Sequence, residues 1–176
     1  MKNVKLNVSK RRLCQVMRDF LNVVNAVTTG ETAPMCYLTQ GAQFDSMIYD
    51  KPMMTKEFHY NIEQLLEDGS NYTDEDGLGI ICANMGQRAS YMKGFSQITK
   101  ILLHEMGHHF TYHQIEALYG AEEMKRLYKE AEGNNEKYLH VPAEWVATQW
   151  AINWLADEQH RKLAKEFEKE FWACFE

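Results

Sequence analysis

The sequence feature that most constrains the fold is the pentapeptide HEMGH at residues 104–108, which follows a largely apolar run at 98–103. Residues four apart stack on one face of an α-helix, so this spacing places two imidazoles side by side. Apolar residues cover much of the circumference of this helix, which predicts a buried helix over about 96–112. Buried histidines need polar partners, and a metal ion held by both of them is one such partner.

The same pentapeptide supplies a candidate base. His104 and His108 are candidate metal ligands, and Glu105 lies beside them, where a carboxylate can take a proton from a metal-bound water. Gly107 costs roughly 1 kcal/mol relative to alanine inside a helix. Its presence therefore predicts that another element approaches the motif helix closely at this position.

A third ligand is predicted on a helix that begins near Pro142. Glu144, Ala147 and Ala151 share one stripe of this helix, and the small residues beside the carboxylate would allow close approach to the motif helix. A buried carboxylate is costly unless it has a partner, and a metal ion is a partner. The alternative is a surface glutamate that is favoured by the dipole at the helix start.

These two segments resemble the ImmA/IrrE-type zinc metallopeptidases of bacteria, phages and mobile elements. Members of that family carry HELGH or a near variant on one helix, followed by an ExxAxxFAxxLL helix whose glutamate completes the metal site. The matching segments here are HEMGH at 104–108 and EWVATQWAINWL at 144–155, and the resemblance covers about residues 78–156. One departure is Thr148, which stands where the family commonly has Asn or Asp.

The resemblance implies a gluzincin site with one zinc ion per chain. His104, His108 and Glu144 would hold the ion, water would complete an open tetrahedral site, and Glu105 would be the general base and then the proton shuttle. The implied activity is hydrolysis of peptide bonds in a protein substrate. Because substrates in that family are often transcriptional repressors, the implied role is selective, regulatory proteolysis.

Two further histidines, His109 and His113, invite comparison with the metzincin pattern HExxHxxGxxH. That pattern requires glycine at 111 and histidine at 114, where this chain has Thr111 and Gln114. The metzincin arrangement is therefore rejected. We expect both histidines to be exposed or to lie at the end of the helix, where imidazolium is favoured.

Three other side chains are candidates for stabilising the transition state: His140, Tyr138 and Tyr91. His140 is also an alternative metal ligand. A fourth protein ligand would close the site, which favours a metal-binding regulatory or interaction protein without proteolytic activity. A third alternative is an accidental motif in a helical structural protein.

The whole chain predicts one α+β domain, predominantly helical and zincin-like, with a small β-sheet beside the HExxH helix. Its 176 residues, 45% of them hydrophobic, fit a single core. Within this domain, 1–75 is an N-terminal helical and strand segment, 78–156 is the metal-site core, and 157–176 is a core-packing amphipathic helix. The other predicted elements are a helix capped by Ser9 that runs to about Ala26, helices over 55–67 and 114–131, and strands over 35–38 and 78–83.

Composition and charge narrow the possible partners. The net charge of −6 makes direct nucleic-acid binding an unfavoured function, although the first 18 residues are basic. No stretch approaches the ~20 apolar residues of a membrane span, and no secretory signal is apparent. The four cysteines lack CxxC spacing, so we expect reduced, mostly buried thiols in a soluble, cytoplasmic protein.

Overall fold

The computed structural model describes residues 5–31, 37–40, 47–50, 57–60 and 94–176. Most of these residues are helical. None of the helices described in these ranges is long and apolar enough to cross a membrane. The elements are α1 (Lys10–Thr29), β1 (Tyr37–Gln40), β2 (Met47–Asp50), β3 (Glu57–Tyr60), α2 (Gln97–Tyr119), α3 (Ala121–Ala131), α4 (Asn135–Leu139), α5 (Pro142–Leu155) and α6 (Glu158–Trp172).

The sequence predicts a predominantly helical α+β domain, zincin-like, with a small β-sheet beside the HExxH helix. Helices do dominate the described residues, but the α+β class is wrong for them. The strand predicted at 78–83 lies outside the described residues. The three short strands come mainly from other segments and are ordered β1-β3-β2, with β1 parallel and β2 antiparallel to β3. Strand β3 falls inside the helix predicted over 55–67, because the aromatic residues Phe58 and Tyr60 alternate at the period of a strand.

Helices α1 and α6 confirm the predicted amphipathic packing. Ser9 caps α1 by accepting a hydrogen bond from the Arg12 backbone N–H at 3.1 Å. The rings of Phe20 on α1 and Phe167 on α6 stack with their centroids 4.2 Å apart. The C-terminal helix thus packs on the core, as its apolar stripe predicts.

The motif helix α2 is longer than predicted. It continues to Tyr119 and ends at Gly120, whose φ of 88° is costly for other residues. The predicted boundary between helices at 112–114 is therefore wrong, because no glycine or proline lies between 108 and 119 to end the helix. As a result, His113 is an exposed residue within α2 rather than at its end.

A carboxylate from a distant helix anchors the start of α2. Glu168 on α6 is buried, and its Oε1 accepts hydrogen bonds from the Ser96 backbone N–H at 2.5 Å, the Ser96 hydroxyl at 2.9 Å and the Thr99 hydroxyl at 2.7 Å. These groups belong to the first turn of α2, where backbone N–H groups lack partners within the helix. The charge also complements the positive end of the helix dipole.

Helices α2 and α5 cross at very short range, as Gly107 predicts. A Cβ atom built on Gly107 would lie 2.3 Å from the carbonyl oxygen of Ala147 and 2.8 Å from its Cα. Only glycine allows the two backbones to come this close. This crossing brings the first turn of α5 against the middle of α2.

The described cysteines are free thiols. Cys14 is partly buried and Cys174 is buried. Burial raises the pKa of the Cys174 thiol, which keeps it protonated and unreactive. Cys36 and Cys82 lie outside the described residues.

Candidate metal centre

The three predicted ligands converge at the crossing of α2 and α5. His104, His108 and Glu144 are only 6%, 7% and 3% exposed. The Nε2 atom of His104 lies 3.3 Å from Glu144 Oε1, and the Nε2 atom of His108 lies 2.7 Å from Glu144 Oε2. One ligand atom from each residue lies within 4.8 Å of the other two.

This cluster could hold a metal ion. Zinc binds nitrogen and oxygen ligands at about 2.0–2.2 Å, so the ligand atoms of a tetrahedral site lie about 3.4 Å apart. The separation of His104 Nε2 from Glu144 Oε1 is already near this value, and small side-chain shifts would open the shorter contact. Two imidazoles and one carboxylate also form a donor set that zinc prefers.

The local sequence explains why these side chains meet. His104 and His108 are one turn apart on α2, and their rings lie with centroids 4.7 Å apart. Glu144 occupies the first turn of α5, which begins at Pro142. Gly107 lies between the two histidines on the face of α2 that contacts α5. The close crossing of the helices therefore places the Glu144 carboxylate beside both imidazole rings.

Glu144 is held as a carboxylate. Its burial raises the pKa, but the adjacent imidazoles of His108 and His104 more than offset this and hold the pKa of Glu144 well below its usual 4.5. The ionised form is the one that binds a cation. The Glu144 carboxylate is therefore already in the form that binds a cation.

Thr148 orients the first histidine. Its hydroxyl lies 2.9 Å from His104 Nδ1, and Thr148 is fully buried one turn after Glu144 on α5. If His104 Nδ1–H donates to this hydroxyl, the Nε2 lone pair is free for a cation. Thr148, which stands where the ImmA/IrrE-type proteins commonly have Asn or Asp, thus contacts a predicted ligand. In contrast, His108 Nδ1 is buried and has no hydrogen-bond partner among the described residues.

Tyr128 also belongs to the site, although no sequence motif marks it. It lies on α3, and its hydroxyl donates a hydrogen bond of 2.8 Å to Glu144 Oε2. Burial and the nearby carboxylate raise the pKa of this phenol, which keeps it a neutral donor. Tyr128 belongs to neither motif, and only the turn after Gly120 brings α3 back toward the site, so no local pattern marks it.

The remaining candidates are placed differently. Glu105 follows His104 on α2 and is partly exposed. His140 is exposed, its Nδ1 lies 2.9 Å from the Glu136 carbonyl oxygen, and it is not part of the three-residue cluster. Tyr138 is 42% exposed, and its ring contacts that of Tyr128. Tyr91 lies outside the described residues.

The two extra histidines also lie outside the cluster. His109 is partly exposed and packs edge to face against Phe110, with ring centroids 4.9 Å apart. His113 is exposed. The predicted exposure is confirmed for His113 but is wrong for His109, which lies inside α2 and is only partly exposed.

Comparisons with models of protein families, with curated proteins and with solved structures find no match to this chain. The resemblance to the ImmA/IrrE-type family therefore rests on the two motifs, and membership of that family stays a prediction.

Proposed function

We propose that this protein is a zinc-dependent metallopeptidase of the gluzincin type. The observation that carries the proposal is the convergence of His104, His108 and Glu144 in one buried cluster. Glu105, the glutamate of the HExxH motif, follows His104 on the same helix. These three residues are 40 positions apart in sequence at their extremes, and a buried acidic and imidazole cluster is costly to build for packing alone. Binding of a metal ion by these three residues would offset this cost.

The proposed mechanism uses three residues as metal ligands and a fourth, Glu105, as the base. His104, His108 and Glu144 would hold the ion. Zinc in this site would polarise the scissile carbonyl and lower the pKa of its water toward ~7. Glu105 takes one proton from the attacking water as the new C–O bond forms, then gives that proton to the amide nitrogen as the C–N bond breaks.

The proposed substrate is a protein, with a transcriptional repressor as the specific case. This part of the proposal comes from the family resemblance. A partly exposed Glu105 beside a buried cluster is consistent with a base that a substrate can reach.

The proposed activity is tested with the zinc-loaded protein and a proteome-derived peptide library whose new termini are read by mass spectrometry. Wild type is expected to generate a defined set of new termini. Glu105→Gln keeps the shape of the side chain but removes the base, so it is expected to bind zinc normally and to lose cleavage by at least about 100-fold.

The matched control is Glu122→Gln, since this glutamate is exposed on α3 and far from the histidines in sequence. It should cleave like wild type. Cleavage that survives unchanged in Glu105→Gln would contradict the proposed mechanism.

A further inference from the structure

The geometry points to Tyr128 as a positioning residue that fixes Glu144 as a metal ligand through its second carboxylate oxygen. This inference rests on the proposed metal site and goes beyond it. It assigns a role to a residue that lies outside both motifs. It also makes α3 a structural part of the site.

The contacts of Glu144 divide into two kinds. Two of them come from imidazole nitrogens, at 3.3 Å from His104 and 2.7 Å from His108. The third is the hydrogen bond of 2.8 Å from the Tyr128 hydroxyl to Oε2. Glu144 is only 3% exposed, so water contributes little to holding its carboxylate.

Only the third contact can persist when a metal ion is bound. An imidazole nitrogen that binds a cation directs its lone pair at the ion and carries no proton there, so it can no longer donate to Glu144. The phenol does not compete for the ion and continues to donate. Among the described groups around Glu144, Tyr128 is then the donor that remains to set the orientation of the carboxylate.

The ring of Tyr128 is itself held in place. It packs against a small apolar cluster that includes Met124, Val141 and Ala143, and it contacts the ring of Tyr138 at 5.9 Å. Because the ring is packed, its hydroxyl keeps a more constant position relative to Glu144 than a hydroxyl on an unpacked side chain would. Partners of this kind, which hold a ligand rather than the metal, typically change metal affinity by about 10–100-fold when they are removed.

The test is the variant Tyr128→Phe, which removes the hydroxyl and keeps the packed ring. Zinc affinity is measured by competition with a chromogenic chelator, and the coordination geometry is read from the visible absorption bands of the Co²⁺-substituted protein. We expect the zinc Kd to rise about 10–100-fold. The Co²⁺ bands are expected to shift or weaken, which a loss of packing remote from the ligands would not cause.

Tyr119→Phe is the matched control, because Tyr119 is half exposed at the end of α2. Its zinc Kd and Co²⁺ spectrum should equal those of wild type. Far-UV circular dichroism of metal-free Tyr128→Phe should match wild type, since the ring is retained.

The outcomes separate the two proposals. If wild type binds zinc and Tyr128→Phe binds it with the same Kd and the same Co²⁺ spectrum, the role of Tyr128 is refuted and the metal site stands. If wild type binds no zinc, the metal site and this inference are both refuted.

Discussion

Gly107 offers the sharpest structural prediction, because alanine there must push α2 and α5 apart. The added Cβ would lie 2.3 Å from the carbonyl oxygen of Ala147, against a normal C···O contact of about 3.3–3.6 Å. The contacted atoms are backbone, so no side-chain rotation relieves the clash. The helices would have to separate by about 1 Å.

The net cost follows from two opposing effects. Alanine in place of glycine favours a helix by about 1 kcal/mol, whereas overpacking costs about 1–3 kcal/mol. Because the clash involves rigid backbone, we place the overpacking cost at the upper end. Gly107→Ala is therefore expected to lower the free energy of unfolding by about 2 kcal/mol, measured by urea denaturation of the metal-free protein.

The same variant should also weaken metal binding, since the separation of the helices moves Glu144 away from His104 and His108. Adding Ala147→Gly should not rescue it, because the clash is with the backbone of residue 147 and not with its Cβ. His113→Ala, at an exposed position on the same helix, is the control and should change stability by less than about 0.5 kcal/mol. A Gly107→Ala protein as stable as wild type, or more stable, would refute the close crossing.

Three further variants test the contacts that surround the site. Glu168→Gln removes a buried charged acceptor from the start of α2, so it should lower the free energy of unfolding by about 1.5–3 kcal/mol in urea denaturation. The exposed variant Glu166→Gln is the control and should leave this free energy unchanged. A Glu168→Gln protein as stable as wild type would contradict the role of Glu168 at the helix start. Thr148→Val should weaken zinc binding about 10–100-fold by removing the partner of His104 Nδ1. Thr148→Ser should retain the affinity, and a tight Thr148→Val site would argue against this role. Finally, the depressed pKa of Glu144 means that its carboxylate stabilises the metal-free protein above pH 4.5 and that this contribution is lost as the pH falls through the folded-state pKa. The stability advantage of wild type over Glu144→Gln should thus shrink below pH 4.5, and parallel curves would contradict the pKa shift.

The residues of the candidate metal site were predictable because short-range sequence patterns mark them. The four-residue spacing of His104 and His108 fixes their relative placement on any helix, and small residues after Glu144 mark a face that can approach another backbone. Gly107 marks the partner face by its cost inside a helix. These signals need no knowledge of the rest of the chain.

The parts that could not be predicted depend on contacts between distant segments. Tyr128 reaches Glu144 only because α2 ends at Gly120 and α3 turns back, whereas the sequence predicts this helix boundary several residues earlier. Glu168 is 72 residues from Ser96, and nothing near it in sequence indicates that it contacts a helix start. At 57–60, a short run fits both a helical and a strand period, so the sequence favours the wrong one.

The most direct test of the proposed metal site is the zinc content and zinc affinity of the purified protein, measured for wild type and His104→Ala by elemental analysis and chelator competition. We expect one zinc ion per chain in wild type, unchanged binding in Glu105→Gln, and loss of binding in His104→Ala. Wild-type protein that binds no zinc, or His104→Ala protein that binds it as tightly as wild type, would contradict a metal site at these residues.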